Sequence, residues 1–166
     1  MVNQNRRAYS TTTGKVAEAR FKAAAQALGL TVEKSTSAED TREHVDFWMA
    51  YDGSGRWGVD VKGNNMPHEI WCEFKNVIGN AGWMYGSATI IAFDMPEEGG
   101  FCIVNREDLA RYCEENVEDV FVKHPLDAYK KKYQRKDRLD VITKISIVDL
   151  MSIPSYRVWC YYVDYK

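Results

Sequence analysis

Asp46 and the triplet Asp60-Val61-Lys62 are the residues of this chain whose types and spacing best suit chemistry. In the run Trp57 to Lys62, strand alternation puts Trp57, Val59 and Val61 on one side and Asp60 and Lys62 on the other. From Val45 to Tyr51 the same alternation separates Val45, Phe47, Met49 and Tyr51 from Asp46. Two such strands side by side bring two carboxylates and an ammonium to one place. Mg²⁺ takes oxygen ligands in octahedral geometry and keeps several waters beside one or two carboxylates. Asp46 and Asp60 suit it, with the main-chain carbonyl of Val61 as a further ligand. A cation there lowers the pKa of a bound water and offsets charge building on phosphate oxygens. Lys62 can orient the attacking water or neutralise the transition state. An acid-x-Lys triplet is also common on solvated strand faces, so its meaning rests on the elements around it.

Upstream, the run from Thr11 to Leu28 reads as a helix: Thr13 can cap it, its alanines favour it, and Gly29 suits the position just past its end. Ala17, Phe21, Ala24 and Leu28 form its apolar stripe, with Glu18 at the stripe's flank, where a carboxylate reaches a sheet edge. The order is therefore a helix with Glu18, a strand with Asp46, then a strand with Asp60 and Lys62.

On these residues the chain resembles the PD-(D/E)xK nuclease superfamily, of restriction-endonuclease-like fold, and within it the phage-type Holliday-junction resolvase-like endonucleases. The resemblance covers roughly the first two thirds of the chain and implies that Glu18, Asp46, Asp60 and Lys62 form a metal-dependent catalytic site. It implies Mg²⁺ or Mn²⁺ as cofactor, held by Asp46, Asp60, Val61 and Glu18, with DNA, branched or otherwise structured, as substrate. Junction resolvases are commonly two-fold dimers, so it also implies a homodimer. An intracellular, cytoplasmic setting in a bacterial host of a phage goes with it. Asp46 follows Val45 where many relatives of this superfamily have proline.

A second acid-x-Lys, Glu73-Phe74-Lys75, lies on the alternating run Glu69 to Lys75, with Trp71, Glu73 and Lys75 on one face. Asp60-Val61-Lys62 is preferred because Gly63 follows it, and a Gly/Asn turn suits the end of a catalytic strand. Glu73 then becomes an outer ligand or supporting acid, with Lys75 or Asn76 near the phosphate; the alternative is an ion-paired strand face.

The 166 residues predict a single α/β domain spanning 1–166, a central mixed sheet flanked by helices, with residues 1–10 flexible. No apolar run is long enough to span a bilayer and no signal-peptide pattern is present, so no membrane is expected; no organic cofactor is expected either. Cys72, Cys102, Cys113 and Cys160 form no C-x-x-C pair and read as free thiols. His44, His68 and His124 lack metal-ligand spacing, though His44 can flank Asp46.

The net charge of −2 argues against a protein that coats nucleic acid through overall basicity, so local patches matter more. Between Lys123 and Arg138 lie Lys130, Lys131, Lys132, Arg135 and Lys136, punctuated by Tyr129 and Tyr133. Such a segment can follow a phosphate backbone and stack on bases, or it can be a solvated charged face. Lys15 on the helix, and Arg6 and Arg7 before it, can add to a nucleic-acid surface. Trp83 and Tyr85, in the Gly-rich run 79–86, can stack on a base or belong to the core, and a helix is expected to begin near Trp83.

Ala88 to Asp94 reads as a strand buried on both faces, followed by a turn through Pro96 and Gly99 and a strand over Phe101 to Val104. Asn105 is expected to cap a helix from Arg106 to Asn116. Val141 to Val148 and Tyr156 to Tyr165 read as strands that extend the sheet or form a dimer edge. A reading of another class stays open beside the nuclease: the fold kept as a catalytically inactive binding module, an anti-defence or regulatory protein. An RNA-directed nuclease is a third.

Overall fold

The computed structural model describes the backbone of residues 3–161 and the side chains of residues 13–161. Among the described residues, ten strands and three α-helices follow in the order α1 (Asn3–Ala27), β1 (Thr31–Lys34), β2 (Phe47–Ala50), β3 (Trp57–Lys62), β4 (Glu69–Lys75), β5 (Ile90–Met95), β6 (Gly100–Asn105), α2 (Arg106–Asn116), β7 (Glu118–Val122), β8 (Lys131–Tyr133), β9 (Val141–Ser146), α3 (Ile147–Met151) and β10 (Arg157–Cys160). The architecture is mixed α/β, but with two mixed sheets rather than one. The larger has strand order β1-β2-β3-β5-β6-β10, the smaller β4-β9-β8-β7. In the larger sheet β1, β2 and β3 form an antiparallel meander, and β5 then returns parallel to β3.

The apolar pattern explains the layers. Ala17, Phe21, Ala24 and Ala25 of α1 pack on Phe47, Met49, Val59 and Val61, with Ala92, Phe101 and Ile103 completing that core. Phe21 is fully buried, edge-on to Phe101 with ring centres 5.4 Å apart. The other face of the sheet, through Ile91, Phe93, Met95, Cys102 and Val104, packs on Ile70, Cys72 and Ile145 of the smaller sheet and on Leu109 and Cys113 of α2. Strand β5 thus sends alternate residues into two cores, as its unbroken apolar run predicts.

Several expectations change in detail. Helix α1 extends N-terminal of Thr13, which is therefore inside it and not its cap. Its far end behaves as expected, with Gly29 at φ +81°, but Leu28 falls beyond the last turn and is exposed. The flexibility expected over 1–10, and the roles of Arg6 and Arg7, fall on side chains outside the described residues. His44 closes an irregular turn at φ 54° instead of sitting in a strand, so Val45 joins the core opposite Phe47 and alternation starts only at β2. The helix expected near Trp83 is a single turn, Trp83–Tyr85. Asn105 does cap α2, accepting from the Glu107 and Asp108 amides. The strand beginning at Val141 stops at Ser146, where Ser146 and Asp149 cap one another to start α3, and it belongs to the smaller sheet. Strand β10 lies at an edge of the larger sheet. Cys72, Cys102 and Cys113 are buried free thiols, whereas Cys160 is exposed.

Candidate functional site

The acids meet where β2 parts from β3. The pairing of the two strands is regular from Met49–Trp57 to Phe47–Val59, and the Asp46 amide still donates to the Val59 carbonyl at 2.8 Å. One residue further, the Asp46 side chain replaces the missing backbone acceptor: the Val61 amide donates to its Oδ2 at 2.7 Å. A buried amide left unpaired would cost about as much as a lost hydrogen bond, so Asp46 completes the sheet edge while pointing its other oxygen into the site. Val61 thus touches the cluster through its amide.

Asp60 is 3 % exposed and lies on the opposite side of β3 from Val59 and Val61, which pack on α1. The Lys62 ammonium stands 2.8 Å from Asp60 Oδ1, while Asp60 Oδ2 is buried with no hydrogen-bond partner. Lys62 also lies 5.0 Å from the centre of the Trp83 ring. Trp83 is itself buried, edge-on to Phe93, so it is a platform for Lys62 and offers no open face of the kind base stacking needs. Tyr85 is exposed but donates to Glu114 at 2.8 Å.

Glu18 reaches the same region from α1. Lys34, at the end of β1, bridges the acids, 2.7 Å from Glu18 Oε2 and 3.9 Å from Asp46 Oδ1. Sequence reasoning missed Lys34; its only signal was its place at the end of the strand that pairs with the Asp46 strand. The Asp46 carboxyl is pushed up to about 7, first by burial and then by the charges of Asp60 and, more weakly, Glu18, against the Val61 amide and Lys62.

Glu73 stands on β4 in the smaller sheet, yet it belongs to the neighbourhood. Its Oε1 accepts from the Trp83 amide at 3.4 Å, and Lys62, His44 and Arg135 all act on its charge. Burial outweighs them and raises its pKa. Gly82 makes the approach possible: a Cβ there would lie 2.3 Å from the Glu73 carbonyl oxygen. Lys75 is exposed at the end of β4, and Asn76 is spent on a turn, accepting from the Ile78 and Asn80 amides.

The basic segment is divided. Lys130 pairs with Asp149 at 2.7 Å, Lys132 with Asp119 at 2.6 Å, and Arg135 with Asp140. Lys131, Lys136 and Arg138 carry no side-chain ion pair among the described residues, and Lys15 is exposed on α1.

Whether a divalent cation suits these residues can be judged from the acids themselves. Asp60 Oδ2 is a desolvated oxygen with no donor, and ionised Asp46 is disfavoured by burial and then by the charge of Asp60; a cation bound there would offset both. Two carboxylates and waters are the usual Mg²⁺ set. Among the described residues, however, no three His, Cys, Asp or Glu side chains stand close enough to form a ready ligand group; Lys34 and Lys62 are the cations paired with the acids. No helix among the described residues is long and apolar enough to cross a membrane. No protein-family model, no curated protein and no solved structure matches the chain.

Proposed function

We propose that the chain is a divalent-metal-dependent nuclease hydrolysing phosphodiester bonds in DNA. The observation that carries this reading is the convergence of buried Asp46 and Asp60 beside Lys62 at the point where two adjacent strands diverge, with one Asp60 oxygen unpartnered. The order α1-β1-β2-β3 with β5 parallel to β3 supports this reading, although β4 and a single turn, not a helix, connect β3 to β5.

In this reading Asp46 and Asp60 hold Mg²⁺ or Mn²⁺, with Glu18 as an additional anchor. The bound cation supplies Lewis acidity and acidifies its water. Val61 fixes Asp46 through its amide, which holds the carboxylate in one orientation. Lys62, seated on Trp83 and drawn towards Asp60, presents an ammonium to the attacking water and to charge developing on the phosphate. The test is nicking of supercoiled plasmid with Mg²⁺ or Mn²⁺, set against Asp60→Asn. Nicking that needs the metal and disappears with Asp60→Asn supports the reading; equal nicking by both proteins refutes it.

A second reading has its own observation. Lys34 and Lys62 already neutralise the acids from within, as they would in an inactive module kept for binding. In that case the plasmid stays intact and millimolar Mn²⁺ leaves the melting temperature unchanged.

A further inference from the structure

An open cleft of about 750 Å³ lies against the smaller sheet and the loop after β8. Its wall carries Trp71, Glu73, Trp83 and Tyr133, and its rim carries Lys136 and Arg138. The two half-buried rings, Trp71 and Tyr133, stand 6.3 Å apart between centres and are tilted by 39°. Lys144, ion-paired to Glu69 at 3.0 Å, lies 5.7 Å from the Trp71 ring centre and fixes that indole. The cleft is within the roughly 300–1,000 Å³ of small-molecule sites, with room for a base and its sugar.

Three properties of the cleft point to one ligand chemistry. Its aromatic walls match the faces of a nucleobase, which are accessible only when the base is out of a helix stack. Lys136 and Arg138, which line the cleft on either side of the exposed Asp137, are exposed and carry no side-chain ion pair among the described residues, which leaves both ammonium and guanidinium available to phosphates. Its inner end is one side chain from the acid cluster, since Trp83 lines the cleft and also seats Lys62. A chain with net charge −2 gains little from general attraction to a duplex, so recognition has to come from such a local site.

We propose that this cleft takes an unpaired nucleotide adjoining the bond to be cut, so that the substrate is single-stranded nucleic acid or a strand with unpaired bases. The inference rests on the nuclease reading for the role of the neighbouring acids, but binding in the cleft is measured without cleavage. Trp71 and Tyr133, too close together to admit a base between them, offer it one shared aromatic surface, while Lys136 and Arg138 hold the backbone.

The experiment is fluorescence anisotropy in EDTA, with a short fluorescein-labelled single-stranded DNA, an RNA of the same sequence, and the blunt DNA duplex. Wild-type protein is expected to bind at least one of the single strands about tenfold or more tightly than the duplex. Trp71→Ala should weaken that binding about tenfold, with Trp71→Phe recovering most of it. Because Trp71 is half-buried, exposed Arg138→Gln serves as a second variant. It should lower the salt slope of single-strand binding by roughly one. Equal or tighter duplex binding, no binding of either single strand, or an unchanged slope with Arg138→Gln would overturn the cleft assignment. Cleavage of the same labelled single strands in Mg²⁺ or Mn²⁺ is scored separately, beside plasmid nicking. Single-strand binding through Trp71 without any metal-dependent cleavage keeps the cleft and removes the nuclease. Cleavage with single-strand affinity indifferent to both Trp71→Ala and Arg138→Gln does the reverse.

Discussion

Replacing Asp46 by Asn should stabilise the metal-free protein, and the gain should depend on pH. Burial and the neighbouring acids lift the Asp46 carboxyl from 3.8 to about 7. At about 1.36 kcal/mol per unit, a displacement of that size means that ionised Asp46 costs the fold up to about 4 kcal/mol above neutral pH. Asp46 is only 8 % exposed, so solvent screens little of this, although relaxation of the site reduces it. A gain of about 2–4 kcal/mol at pH 8 is expected, or about 5–15 °C in melting temperature for a chain of this size. Asn keeps an oxygen that can accept from the Val61 amide, so the sheet edge is not sacrificed.

The sign follows from proton binding. Between pH 4 and about 7 the native chain holds a proton on Asp46 that the unfolded chain has released, so wild-type stability falls as pH rises through that window and levels off above it. The variant lacks this slope. Differential scanning calorimetry across pH 4 to 8 in EDTA should therefore show a difference near zero at the acid end that grows to a plateau. Millimolar Mn²⁺ at pH 8 should raise the wild type and close part of the gap. A variant less stable than wild type at pH 8, or a difference that does not change with pH, would refute the account of Asp46 as a buried, repelled carboxylate.

Two further outcomes test the frame around the site. Asp149 accepts from Tyr112, Tyr129, Lys130 and Ser146; burial alone would raise its carboxyl, but these donors hold it well below the usual range. Its contribution is present above pH 4 and lost as pH falls below that, and Asp149→Asn should cost about 3–5 kcal/mol by urea unfolding at pH 7, since it leaves Lys130 without its charge partner. Gly82→Ala forces a methyl against the Glu73 carbonyl and should lose at least about 1–3 kcal/mol in the same assay, with plasmid nicking falling as Trp83 and Lys62 are displaced.

What was legible in the sequence is what depends on local periodicity. The span Trp57–Lys62, the double-sided burial of the run read as Ala88 to Asp94 (a strand over Ile90–Met95) and the Asn105 cap were all readable, because each is set by residues within one element. The assignment of β4 to a separate sheet was not, because alternation shows that a run is a strand without naming its neighbour. The basic run from Lys123 to Arg138 read as either a phosphate-following segment or a solvated charged face, yet Asp149 and Asp119 from other elements, and Asp140 from the same loop, neutralise much of it. Charge pairs between distant elements leave no mark in local composition. Lys34 was missed for the same reason, its pairing with Glu18 and Asp46 being set by the packing of three elements.

The geometry at Asp46 also explains why a costly carboxylate and a sheet edge coincide. Where β2 leaves β3, the Val61 amide needs an acceptor, and the side chain that supplies it is necessarily held beside the next residues of β3. Asp60 and Lys62 are those neighbours, one on each side of Val61. An Asn or Ser at position 46 would satisfy the amide with no buried charge, and Asp60 would then face no like charge across the gap. Sheet geometry therefore accounts for a polar residue at 46 but not for an acidic one. The acidic choice lowers stability in the metal-free protein above neutral pH, a loss that protonation removes and that a cation between the carboxylates would offset.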